Sequence, residues 1–405
     1  MEKRKGSVNS TTPRKIRAFA LKQYWLHRFF RKSGDGRVQP VIPASTLLWS
    51  YLIGSILREN TFHAIEALVR SPARRALIVG CEFGDDTLAY FTERLTVSPL
   101  RETMARVLRR VKRNKAFDGC RFIGLALDGT GAGRCHAEKC PLCHPVYDAK
   151  HEIKSYVHHF SLISVVGVNL SLPFDVEPYD RQDSEYAASQ RLIQRAISNL
   201  GSRFADYVVV DGAYATAPFL HTVGDLGLSV IARLKGNLPE LMASAEKRFK
   251  NKPPSTTFIN RNDFVEVWDA DDFDPWTSLR WKTVRVMKYR QHKSNGTIIE
   301  AYWLTDFPQS KVASQSLYRM AKCRWEIENQ GFNDGKNRYG MEHITHHHEN
   351  SLIIQWLLTL LAILIERLYR SRYLKRGCHT AMAPIEFLRL LRLNLTTAVK
   401  IINTS

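Results

Sequence analysis

The sequence predicts an α/β protein: a mixed sheet flanked by helices, with a β-strand insertion and a helical N-terminal region. Three observations predict it. Two short apolar runs, Phe122–Leu127 and Tyr207–Val210, each run straight into Asp-Gly, as buried strands with an acid at the tip do. Between them, Tyr156–Val166 and Asn169–Val176 meet at Gly167 like the arms of a hairpin, and Ser184–Leu200 has helical spacing. β-rich runs with alternating aromatics then form a block of their own: Phe264–Trp268, Trp281–Tyr289 and Thr297–Leu304.

Taken in order, Met1–Ala18 is basic and polar around Ser10-Thr11-Thr12-Pro13 and reads as a flexible arm. From Phe19 to Arg113 the chain is mainly helical. Thr46–Leu57 and Phe62–Val69 carry apolar residues at helical spacing on either side of Asn60-Thr61. Pro99–Val111 follows, with Ser98 as N-cap. It ends in Arg109, Arg110, Lys112 and Arg113, which either grip phosphates or complement the helix dipole as a solvated end. Past the hairpin, Asp183 is the candidate N-cap of Ser184–Leu200 and Gly201 its terminator. Pro218–Leu226 reads as a helix and Leu228–Leu234 as a strand. Asn295-Gly296 is a strong turn signal inside the β block. Helix resumes from Ser314 through Glu328. Leu352–Ile365 is an apolar helix short of the roughly 18 residues that span a bilayer, and so a core helix. Ala383–Leu393 closes the chain.

A chain of 405 residues suffices for two or three domains. Its 44% hydrophobic and 24% charged content is ordinary, but the net charge of +20 and pI of 9.7 are not. Such a charge points to a polyanionic partner, nucleic acid before a membrane surface. Met1–Lys22 has no apolar core of the kind a signal peptide needs. Seven cysteines, several of them between Cys120 and Cys143, argue against a disulfide framework and for a reducing interior.

The chemistry lies in the acids. Phosphoryl transfer on DNA needs a few carboxylates at one point, because hard divalent cations prefer oxygen ligands. Asp128 and Asp211 each end a strand and precede a glycine, although one Asp-Gly alone also fits a plain turn. Glu328 lies four residues after Arg324 on one helix face, with Trp325 read as an anchor in the core. After the first strand, Cys140 and Cys143 have the spacing of a zinc knuckle. Cys135 or His136, with His144 or His151, are the candidates to complete a tetrahedron; a reduced cysteine-rich loop or a redox pair is the alternative. His343, His346, His347 and His348 read as a polar loop near DNA and not as a metal site.

These residues resemble the bacterial insertion-sequence transposases that have an Asp-Asp-Glu (DDE) catalytic domain of RNase-H-like fold, with a β-strand insertion before the Glu. The resemblance covers roughly Phe122–Arg367. In that family the Glu stands in a Tyr-x2-Arg-x3-Glu-x6-Lys pattern. By the resemblance Asp128, Asp211 and Glu328 are metal ligands for two Mg²⁺ or Mn²⁺ ions, and Arg233, Trp303, Arg324 and Lys336 contact DNA, Trp303 by stacking on an extruded base. The match is imperfect: Ala321 holds the Tyr position, with Tyr318 one turn earlier, and Gly335 holds the Lys position, with Lys336 one residue late.

The expected organisation is a basic arm and helical DNA-binding region over 1–115, a DDE catalytic domain over 116–375 and a C-terminal helix over 376–405. Within the catalytic domain, the Cys/His loop falls at 134–152 and the β insertion at 236–305. The expected protein is a transposase in the bacterial cytoplasm, associated with the nucleoid. It acts as a dimer on double-stranded DNA, with no membrane partner and a candidate structural Zn²⁺. The rival readings are an RNase-H-fold endonuclease or resolvase without strand transfer, and a non-catalytic zinc-dependent DNA-binding protein derived from a transposase.

Overall fold

The computed structural model describes residues 13–71, 80–168, 170–376 and 380–403. Ten strands form one mixed sheet: β1 Gly124–Cys135, β2 Cys143–Tyr147, β3 Ile153–Val166, β4 Leu172–Tyr179, β5 Tyr207–Val210, β6 Ser229–Leu234, β7 Thr256–Asn260, β8 Asp263–Phe273, β9 Val284–His292 and β10 Ile298–Thr305. Their order across the sheet is β2-β3-β1-β5-β6-β10-β9-β8-β7, with β4 paired to β3. β1, β5 and β6 are mutually parallel, and β3 and β4 are antiparallel to their neighbours. This is the RNase-H-like arrangement of a hairpin joined to a parallel unit. A short pair, β11 Lys375–Arg376 and β12 Thr380–Ala381, stands apart.

The central strands are buried on both faces, as parallel strands covered by helices must be. Leu125, Ala126, Leu127 and the whole of Tyr207–Val210 are buried. Gly124 is required by close approach, since a Cβ there would meet the Tyr207 ring at 2.4 Å. Neighbouring residues of β3 point to opposite faces. Ser161 bonds Ser189 on the helix Glu185–Leu200 (2.8 Å), while Phe160 packs on Trp356 of the helix Glu349–Tyr373 (ring centroids 4.5 Å). The sheet is therefore sandwiched between helices. The N-terminal helices Ala44–Leu57, Asp85–Arg94 and Val97–Arg113 pack around Glu349–Tyr373. That helix is long and apolar enough to cross a membrane, and its apolar stretch is 94% buried inside the protein.

Several local expectations are corrected. Pro13–Tyr24 is a helix, so the arm expected over Met1–Ala18 is helical from Pro13; residues 1–12 lie outside the described residues, as does Asn169, the expected start of β4. The helix over 99–111 begins at Val97, which places Ser98 inside its first turn and not at its cap. Ser184, not Asp183, caps Glu185–Leu200, accepting from the Ala187 N–H at 3.2 Å. β1 continues seven residues past Asp128, because β3 is long enough to keep pairing with it to Cys135. The Cys/His segment is less irregular than expected, since β2 adds to β3. The β insertion opens with a helix, Pro239–Phe249, and its last strand joins the main sheet, β10 pairing with β6.

The insertion is locked by a buried ion pair. Arg285 grips Asp269 in a two-pronged contact (2.8 and 2.5 Å), and its remaining nitrogen donates to the carbonyls of Phe307 (3.2 Å) and Val312 (2.8 Å). Removing one partner leaves the other charge buried and uncompensated. Asp269→Ala should therefore cost about 3–5 kcal/mol in chemical denaturation. Removing the exposed Arg106–Glu102 pair should cost well under about 1 kcal/mol.

Candidate active site

Ala126 of β1 lies beside Val209 of β5 in parallel register. Asp128 and Asp211 each follow two residues later, so both leave the paired stretch of neighbouring strands at the same level. Glu328 arrives from the other end of the chain, on a helix of uneven pitch. Arg324–Glu326 is α-helical, Ile327–Phe332 is a π turn, and Asn333–Tyr339 is α-helical again. The buried Arg324 joins the groups. Its Nη1 stands 3.3 Å from Asp128 and 2.7 Å from Glu328, and its charge also reaches Asp211.

The two aspartates are held differently. Burial pushes the Asp128 carboxyl up to about 6, the Glu185 and Glu328 carboxylates add to the rise, and Arg324 opposes it. Burial also acts against ionised Asp211. There, the hydrogen bond and charge of Lys235 (3.0 Å), the Gly212 N–H and the charge of Arg324 prevail, and the carboxyl lies below its usual range. Glu185 was not found by sequence reasoning. It stands at the first turn of its helix, and nothing in the local sequence links it to Asp128. Gly129 admits it, since a Cβ there would lie 2.1 Å from the Glu185 carboxylate. Tyr214 donates to Glu185 at 2.6 Å and accepts from Ser189 at 3.0 Å, which fixes the carboxylate in place.

The four residues expected at DNA all have partners within the chain. Trp303 is 1% exposed in β10, between β6 and β9, with the Arg233 guanidinium over its ring (5.5 Å). It is a core residue of the sheet and cannot stack on a base without opening it. Arg233 is half-buried against that ring, and Arg324 is occupied by the acids. Lys336 donates to Thr130 at 2.7 Å and to the Gly131 carbonyl, and pairs with Glu342 (3.4 Å), so it braces β1. Tyr318 is buried, and its hydroxyl bonds Gln291 (3.3 Å). Trp325, expected in the core, is 44% exposed, one helical step from Arg324, whose guanidinium lies over its ring (5.2 Å).

Basic residues gather elsewhere. Trp25, Arg28, Arg31, Arg106, Arg109 and Arg113 line a groove in the N-terminal helices. Arg28 and Arg110 flank the Trp25 ring at 4.8 and 3.7 Å. The basic end of Val97–Arg113 is thus divided. Arg109 and Arg113 face this groove, and Lys112 donates to the carbonyls of Arg203 (2.8 Å) and Phe204 (2.7 Å).

The cysteine segment is also rearranged. Cys140 and Cys143 stand together, but their neighbours are His158 of β3 and His347. The expected partners are not the ones supplied. His144 turns away to the Tyr179 carbonyl (2.8 Å), and the Cys135 sulfur, beside the Tyr156 carbonyl (4.0 Å), stays near Cys143 but outside the set of four. His347 thus belongs with the thiols and not with a polar loop, while His346 pairs with Glu93 (2.8 Å). Cys81, Cys120, Cys135, Cys140, Cys143 and Cys323 are all free thiols.

Acids converging from two parallel strands and a later helix define a class of phosphoryl-transfer domain, and comparison with known proteins gives the family. Residues 121–365, well over half of the chain, match the family described as transposase DDE domain, and the chain belongs to it. Among solved structures it is similar to one described as a cryo-EM structure of the piggyBac transposase synaptic complex with hairpin DNA. The identity is 12%, the match covers 96% of this chain and 82% of that one, and the TM-score is 0.45. No curated protein matches the sequence.

The raised Asp128 has a consequence for stability. Its folded-state value of about 6 exceeds the ordinary 3.8, so the folded chain binds the proton more tightly than the unfolded chain. Ionised Asp128 then weakens the metal-free fold above pH 6, and this penalty vanishes below pH 3.8. In chelator-treated protein Asp128→Asn should raise the melting temperature at pH 8, by at most about 3 kcal/mol in stability. At pH 4 the gain should largely disappear. An equal effect at both values would mean that Asp128 is not held as described.

Proposed function

We propose that this chain is a DNA transposase that binds the ends of its mobile element and catalyses metal-dependent strand cleavage and strand transfer on double-stranded DNA. One observation carries the reading: three carboxylates from β1, the end of β5 and the helix after the insertion converge on a single guanidinium, in a chain of net charge +20. Asp128, Asp211 and Glu328 would hold Mg²⁺ or Mn²⁺, and the residues fit such ions. The donors are all oxygen, as hard cations require. The carboxylates of Asp128, Asp211, Glu328 and Glu185 outnumber the two cations bonded to them, Arg324 and Lys235. Two divalent ions in such a site supply charge stabilisation to the attacking and leaving oxygens of an in-line displacement.

The chain's own groups do the rest. Asp128 shares its environment with Glu328 and Glu185 and must lose its proton for the site to load. Lys235 keeps Asp211 ionised. Tyr214 and Ser189 hold Glu185 beside Asp128, where it adds to the negative field. Arg324 pairs with Asp128 and Glu328, and its guanidinium would suit a phosphate held at the same carboxylates. The Trp25 groove, with its arginines, supplies sequence-independent phosphate contacts in the N-terminal region. The proposed setting is the bacterial cytoplasm, with two copies on the DNA.

The deciding experiment uses linear DNA carrying the sequences that flank the chain's own gene. With Mg²⁺ present, the wild type should nick at the element ends and join them to target DNA. Asp128→Ala, Asp211→Ala and Glu328→Gln should each lose cleavage to below detection while binding the same DNA within about threefold, because each removes a metal ligand and not a phosphate contact. Normal cleavage by any one variant removes that residue from the site, and cleavage without joining leaves a nuclease.

The exposed ring of Trp325 lies against Arg324, the guanidinium that holds the acids, and we assign base stacking to it in place of Trp303. Stacking on one base is worth about 1–3 kcal/mol. Trp325→Ala should weaken binding to nicked or frayed ends by a corresponding factor and leave the melting temperature near that of the wild type. Trp303→Ala should do the reverse, with a large loss of stability. Equal end binding by Trp325→Ala would refute the assignment.

A further inference from the structure

We propose that Cys140, Cys143, His158 and His347 form a tetrahedral structural zinc site that fastens the segment following the Glu328 helix to β2 and β3, the strands paired in turn alongside the strand bearing Asp128. The four ligand atoms lie within 4.8 Å of one another, and both thiols and His158 are buried. The spacing is that of a coordination shell. A tetrahedral zinc with bonds of about 2.3 Å to sulfur and about 2.0 Å to nitrogen separates two sulfurs by roughly 3.8 Å, and sulfur from nitrogen by roughly 3.5 Å. Here Sγ of Cys140 and Sγ of Cys143 are 3.7 Å apart, and His158 Nε2 stands 3.2 and 3.4 Å from them.

Both imidazoles are prepared for a cation. His158 Nδ1 lies 3.1 Å from the Gly133 carbonyl, which can only accept. The proton therefore sits on Nδ1, and the Nε2 lone pair faces the sulfurs, as in metal-bound histidines oriented by an outer carbonyl. His347 brings a buried Nδ1 that has no hydrogen-bond partner among the described residues. A buried polar atom of this kind calls for a partner, and an ion between the rings and the thiols supplies one. A redox pair would need neither imidazole. Two sulfurs and two nitrogens select zinc over the oxygen-seeking ions of the carboxylate site, and four protein ligands leave no open position for a reactant.

The ligands come from three parts of the chain: Cys140 in the turn after β1 with Cys143 at the start of β2, His158 on β3, and His347 in the stretch between Tyr339 and Glu349. The same stretch already touches β1, where Glu342 accepts from the Gly133 N–H at 3.1 Å and meets Lys336 at 3.4 Å. Zinc would turn these polar contacts into a fixed joint at the far end of the helix that carries Glu328. The proposal stands whether or not the chain cleaves DNA.

Full-length protein purified without added metal should contain about one zinc per chain by elemental analysis, released by a mercurial reagent that blocks thiols. Cobalt in its place should show the intense visible bands of a tetrahedral ion with two thiolate ligands. Cys140→Ser and His347→Ala should fall to near none, while Cys135→Ser and His144→Ala should retain the metal. If the ligand variants are insoluble, wild-type zinc content and the cobalt spectrum decide. Wild type that carries no zinc and takes up no cobalt overturns the site. So does loss of metal on replacing Cys135 or His144 with retention in His347→Ala, which would mean a different ligand set.

Discussion

Like charges cannot be gathered in a partly buried place without something to hold them. Asp128, Glu328 and Glu185 approach one another in a setting where their repulsion is weakly screened, and Arg324 is the group that lets them do so. The surrounding architecture fixes both sides of this contact. The parallel register of β1 and β5 sets the level of the two aspartates. On the other side, Arg367 of the long buried helix donates to the Gln330 carbonyl and pairs with Asp334 (2.7 Å), so the helix carrying Arg324 and Glu328 is tied to the core. Arg58 and Arg370 meet at Glu366 of the same long helix, extending the tie to the N-terminal helices. A charge balance at the centre thus depends on packing contributed by the whole chain.

The strands were legible because their signals are local. Leu125–Leu127 and Val208–Val210 are short, apolar and buried on both faces, and each is closed by an acid that burial alone would not tolerate. The Arg324–Glu328 pair was legible for the same reason, as a contact across one helical turn. What escaped depends on distant partners. Trp303 belongs to a run that reads as an insertion, yet β10 pairs with β6, which draws the tryptophan into the core. Once Arg324 turns inward to the acids, Trp325 must lie about 100° further round the helix, toward solvent. The thiols of Cys140 and Cys143 share a short motif, while His158 and His347 reach them only through folding, and no spacing rule links residues so far apart in the chain. Glu185 is hidden likewise, since only the folded chain brings it beside Gly129.

The insertion changes meaning once its pairing is known. It is a continuation of the catalytic sheet and not an appended module. β10 is hydrogen-bonded to β6, β6 to β5 and β5 to β1, the strand of Asp128. Displacement of the outer strands is therefore resisted by the same hydrogen-bonded ladder that sets the acids, and the buried Arg285–Asp269 pair stiffens that outer half.

The π turn at Ile327–Phe332 gives the late lysine a geometric explanation. On an uninterrupted α-helix, the residue seven positions after Glu328 shares its face, and that residue is Gly335. A π turn accommodates one more residue before the helix resumes its phase. The position in phase with Glu328 then becomes Lys336, whose amine does reach β1 beside Asp128. Counted along the chain the motif is one residue too long; measured as rotation about the helix axis it is in step. One extra residue in such a helix is absorbed in this way without moving the groups on either side, so what the geometry requires of the motif is an angle about the helix axis and not a count of residues.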